Sequence, residues 1–83
     1  MPTISTIHGH RVVIYPADHR PAHVHVVGPG FEAAFNLNCP SGPIGVRDIS
    51  GRVFDAVIRR IARMIEPDIA ALCAAWSKYH GNF

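Results

Sequence analysis

The strongest constraint on how this chain folds is a change of hydrophobic period near residue 48. Before it, apolar residues fall in short β-type runs broken by turns. After it they recur at i, i+3, i+4 and i+7, the spacing of a helix with one buried stripe. Strands followed by helices, in a chain of 83 residues, predict a single α+β domain. The expected architecture is a small antiparallel β-meander of three or four strands packed against two C-terminal α-helices. Its parts are a meander over 1–37, a Gly/Pro-rich loop over 38–51 and a helical hairpin over 52–80.

The segments follow from local chemistry. Ile4–Ile7 reads as a first strand and His8-Gly9 as a tight turn. Arg11–Tyr15, rich in β-branched and aromatic residues, reads as a second strand that Pro16 ends. His23–Val27 alternates histidine and valine, so its histidines share one face and its valines the other. Gly28-Pro29-Gly30 is a turn, and Phe31–Leu37 is the fourth strand. Pro40, Gly42, Pro43, Gly45 and Gly51 mark the loop, with Ile44 and Val46 as its apolar anchors.

Ser50 is the expected N-cap of a helix from about Arg52 to Ile65. Val53, Phe54, Val57, Ile58, Ile61, Met64 and Ile65 form its apolar stripe. Pro67 cannot lie inside a helix but suits a first turn, so a second helix is expected from Pro67 to Tyr79, stopped by Gly81.

Composition limits the functions open to the chain. Hydrophobic residues make up 48% and charged residues 17%, an ordinary globular mixture whose slight apolar excess suggests surface covered by a partner. Area scaling for this size gives roughly 60–65% of surface buried on folding, enough for one small core and too little for a cleft between subdomains. The net charge of +2 is too small to argue for nucleic-acid binding by itself. The start of the chain shows no basic segment followed by an apolar run, and no stretch approaches a membrane span. Cys39 and Cys73 form no metal-type pair, and a cytoplasmic setting with reduced thiols is expected.

Chemistry concentrates in Asp18-His19-Arg20-Pro21-Ala22-His23-Val24-His25-Val26. On a strand, the Cα atoms of His23 and His25 stand ~6.6–6.8 Å apart, a spacing from which two imidazoles can converge on one ion. His19 or Asp18 could supply a third ligand, and His8 or His10 a fourth if the first hairpin lies alongside. Two histidines and a carboxylate suit a divalent metal such as zinc, iron or manganese. The competing reading is structural: the rings hydrogen-bond backbone and one another to hold the proline loop. Metal-free acid–base cleavage of RNA could draw on His19, Arg20, His23, His25 and Tyr15, but no carboxylate stands out as an orienter and the catalytic set is incomplete.

A third feature is basic. Arg52, Arg59, Arg60 and Arg63 fall along one side of the first helix and could meet an acidic partner or a phosphate backbone. The favoured reading is a solvated face, partly paired through Asp55–Arg59 and Arg63–Glu66.

Met1-Pro2-Thr3-Ile4, a strand, and then the Asp18–Val26 motif resemble the bacterial domain-of-unknown-function family 4160. The amphipathic helix and Trp76 near the end fit the same family. Its members usually carry two prolines before the second histidine, where this chain has Pro21-Ala22. The resemblance implies no reaction. It implies an accessory protein of toxin–antitoxin and mobile-element neighbourhoods. The leading expectation is therefore a non-enzymatic interaction protein that binds a protein partner. It would act as an antitoxin-like regulator or as an inhibitor of a nuclease or CRISPR-type defence complex. Nucleic acid is the alternative partner, and a homodimer could form through an edge strand or the helix face. A histidine-based nuclease or metal-binding protein is the alternative function.

Overall fold

The computed structural model describes residues 3–7, 10–15 and 17–83, with side chains described from residue 10 onward. The expected turn at His8-Gly9 and the strand end at Pro16 lie outside these residues. Five strands, β1 (Thr3–Ile7), β2 (His10–Val13), β3 (His23–Gly28), β4 (Phe31–Asn36) and β5 (Gly45–Gly51), form one sheet in the order β1-β2-β3-β4-β5. Every neighbouring pair is antiparallel. Helix α1 (Asp55–Ile65), a short 3₁₀ turn (Glu66–Asp68) and helix α2 (Ile69–His80) follow. The α+β class and the meander stand as expected.

Three boundaries differ from expectation. First, half of the expected loop over 38–51 is β5, so the sheet has five strands. The period was hidden by a register shift between Ala34 and Phe35, which leaves Arg47 as an extra residue on β5. Val46 thus pairs with Phe35 and Ile49 with Ala33, placing two residues three apart on one face.

Second, α1 begins at Asp55 with Phe54 as N-cap and no side-chain cap. Ser50 and Gly51 are used by β5 instead. Gly51 has φ +88°, and a side chain there would run into the Gly30 carbonyl oxygen. The Arg52 N–H donates to that same oxygen at 3.0 Å, closing the sheet edge before the helix starts.

Third, the helices do not form a hairpin. Ile65, Glu66 and Ile69 keep right-handed helical backbone across the junction. Pro67 lacks an N–H, and it tightens one turn to 3₁₀ without reversing the chain. Gly81 ends α2 as expected, at φ +80° with its N–H on the Ser77 carbonyl at 2.8 Å.

The helical segment covers one sheet face. Val12, Ile14, Val24, Val26, Ala33, Phe35 and Leu37 meet Ile58, Ile61, Ile65, Leu72 and Trp76 in a single core. The β-branched residues of β2 and β3 fit the pleat, and the i, i+3, i+7 positions of α1 supply the facing ridge. The two cysteines, expected to be reduced, are joined. Cys39, just after β4, and Cys73, on α2, form a disulfide with Cα atoms 5.9 Å apart, inside the range a bridge requires. The sheet brings the β4–β5 connection over α2, a proximity that a sequence separation of 34 conceals.

Candidate metal centre

The other sheet face carries the polar side chains. Register aligns Val13, His25, Ala34 and Asp48 across β2 to β5, and Val27, Glu32 and Ser50 one step along. His25, Glu32, Ala34, Asp48 and Ser50 line a shallow pocket on it.

The loop between β2 and β3 delivers Asp18 to this face. The Asp18 N–H donates to the Tyr15 carbonyl at 3.1 Å, while the Tyr15 N–H donates to Asp18 Oδ2 at 3.0 Å. This closed turn directs the carboxylate inward. Asp18 Oδ1 then lies 3.5 Å from His23 Nε2 and 3.3 Å from His25 Nε2. One ligand atom from each residue falls within 4.8 Å of the others.

Each ring is held from behind. His23 Nδ1 donates to the Pro21 carbonyl oxygen at 2.8 Å, because a carbonyl can only accept. His25 Nδ1 faces Glu32 Oε2 at 3.1 Å, again an acceptor. His25 Nε2 and Asp18 Oδ1 are within hydrogen-bond geometry at 3.3 Å. With both rings protonated on Nδ1 instead, three acceptor atoms would converge and a cation between them would relieve the repulsion.

Aromatic groups wall the site. His23, only 4% exposed, has its ring centroid 5.2 Å from Trp76 and 5.1 Å from His25. Trp76 in turn lies 4.2 Å from the His80 ring, and its indole N–H donates to the Asn82 carbonyl at 2.8 Å. His80 Nε2 bonds the Tyr15 carbonyl at 3.1 Å, tying the end of α2 to the Asp18 loop. Tyr15 packs edge-on to His25 at 4.5 Å and donates its hydroxyl to Glu32 Oε1 at 3.1 Å. Burial, and then that carboxylate, push the tyrosine hydroxyl above its ordinary pKa, so it remains a donor at neutral pH.

The structure brings together Asp18, His23 and His25 of the expected metal set and leaves His19 out. His19 is exposed, because the turn that aims Asp18 inward sends the next residue to solvent. His10 also stands apart, with its ring against Phe31 at 5.7 Å; as the partner of Gly28 across the sheet it belongs on the helix side. His8 lies outside the described residues. Glu32 is the orienting carboxylate that sequence reasoning missed. The β3–β4 register, with Val27 opposite Glu32 and His25 opposite Ala34, places Glu32 diagonal to His25. Arg52, Arg59, Arg60 and Arg63 are all exposed. Among the described residues, neither Asp55–Arg59 nor Arg63–Glu66 closes as an ion pair. Glu66 accepts the Ile44 N–H at 3.4 Å.

The molecule is thus an α+β domain with a helix-backed meander and a histidine–aspartate cluster formed by β3 and the loop that enters it. Residues 9–77 match the model of the domain of unknown function DUF4160, and the chain belongs to that family. The Asp18–Val26 segment lies inside the match. No curated protein and no solved structure matches the chain. No helix among the described residues is long and apolar enough to cross a membrane.

Proposed function

We propose that this protein binds one divalent metal ion through Asp18, His23 and His25. The observation that carries the reading is the convergence of Asp18 Oδ1 on two Nε2 atoms at 3.3 and 3.5 Å. The shorter separation is a long hydrogen bond between His25 Nε2 and Asp18 Oδ1, beyond the ~2.7–2.9 Å of a charge-assisted one. Both lie near the edge of a coordination tetrahedron, about 3.3–3.4 Å for metal–ligand bonds of ~2.0–2.1 Å. Two imidazoles and one carboxylate suit Zn²⁺ best and leave a position open to water or a further ligand.

Calorimetric titration of metal-free protein with Zn²⁺ tests this. One ion per chain is expected, with binding abolished by His23→Ala, His25→Ala or Asp18→Ala and unchanged by His19→Ala. Absence of binding, or loss of binding only in the His19 variant, contradicts it.

A protein-binding role is a second reading, supported by apolar side chains outside the core. Phe54 is 82% exposed, and Val46 and Ile49, on the edge strand, are 50% and 39% exposed. Arg52, Val53 and Phe54 line an open recess after β5, a mixture of guanidinium and apolar surface typical of partner contacts. Phe54→Asp would abolish capture of a specific partner from host extract while leaving Zn²⁺ binding intact. Capture at wild-type level by that variant removes this surface from consideration.

A further inference from the structure

We infer that Glu32 and Tyr15 are positioning residues for the metal centre, an outer shell that sets the tautomer of His25. The inference rests on the metal reading and goes past it to residues that touch no ion.

The chain of contacts is continuous. Tyr15 donates its hydroxyl to Glu32 Oε1 at 3.1 Å, and Glu32 Oε2 lies 3.1 Å from His25 Nδ1. A ring that carries its proton on Nδ1, toward Glu32, leaves Nε2 free to ligate an ion beside Asp18. A carboxylate behind a ligating imidazole fixes the ring and raises its basicity, and removing such a partner weakens metal binding about tenfold to a hundredfold.

The two histidines are held differently. His23 rests on a neutral backbone carbonyl, whereas His25 rests on a carboxylate. Backbone cannot be removed by substitution, so Glu32 is the partner whose contribution can be tested. Asp18 and Glu32 flank the His25 ring, at 3.3 Å from Nε2 and 3.1 Å from Nδ1. Tyr15 adds a second anchor through its backbone N–H on Asp18 Oδ2, so this one residue touches both carboxylates.

The test is Zn²⁺ affinity of the full-length protein by competition with a chromophoric chelator. Wild type is compared with Glu32→Gln, Glu32→Ala and Tyr15→Phe, and the melting temperature of each metal-free protein is measured alongside. Glu32→Ala is expected to weaken binding by about ten- to a hundredfold. Glu32→Gln keeps an acceptor but loses the charge, and falls between Glu32→Ala and wild type. Tyr15→Phe loses least. The Co²⁺-loaded proteins should show a shifted visible absorption band in both Glu32 variants, a readout that stability alone does not move. If wild type binds Zn²⁺ and the Glu32 variants bind it equally tightly, the outer shell is overturned while the metal centre stands. If wild type binds none, both fall. Should Glu32→Ala fail to fold, Glu32→Gln and Tyr15→Phe decide the matter by the same affinities.

Discussion

The two faces of the sheet are made by the same strands but are governed by different physics. On the helix side, Val24, Val26, Ala33 and Phe35 are fully buried against α1 and α2. Their identity is constrained by volume, and their contacts are non-directional. On the other side, His23, His25, Glu32 and Asp18 are held by directed bonds between named atoms. Alternation along β3 feeds both at once: each valine secures the strand, and each histidine is thereby presented at a fixed height. One face thus supplies stability and the other can be given to chemistry. Substitutions on the first should unfold the protein, and substitutions of His25 or Glu32 on the second should leave it folded; His23, buried against Trp76, belongs to both.

The largest effect is expected in the core. Phe35→Ala removes a fully buried aromatic side chain and should cost about 3–5 kcal/mol by chemical denaturation. A loss under ~1 kcal/mol would mean that the helical face does not dominate stability. Next comes the cross-link that holds the helical segment to the β4–β5 connection. Replacing both Cys39 and Cys73 with serine frees a separation of 34 residues and should lower stability by about 3–4 kcal/mol on the loop-entropy model. Unchanged melting with and without a dithiol reductant would show that the bridge is not formed.

Gly51→Ala should cost about 2 kcal/mol, because it forces a side chain into positive φ against the Gly30 carbonyl oxygen. That would detach β5 at its junction with α1. The smallest effect on folding is expected on the open face. His25→Ala should change stability by about 1 kcal/mol or less, yet abolish Zn²⁺ binding. A large loss of stability there would erase the contrast between the faces.

The sequence exposes the first half of the molecule more clearly than the second. β3 and β4 are legible because strict alternation meets a Gly-Pro-Gly turn. β5 is not, because the extra residue Arg47 breaks the period of two and its Val46 and Ile49 then look unrelated. The α1 stripe is legible at Ile58, Ile61 and Ile65, all buried. Its start is not, because Ser50 looks like a cap and Phe54 looks like core, whereas the latter is largely exposed. Pro67 signals a break in the helix without saying whether the chain turns back. At the site, His23 and His25 can be read directly from their spacing. Asp18 was one of two candidates beside them, and only the turn closed by Tyr15 separates it from His19. Glu32 required the sheet register, which is a tertiary fact.

The most direct measurement is X-ray absorption at the zinc edge on the Zn²⁺-loaded full-length protein. The account predicts a first shell of nitrogen and oxygen at ~2.0–2.1 Å with outer scattering from two imidazoles. A shell of sulfur near ~2.3 Å, or a spectrum that is the same in His23→Ala, would contradict it.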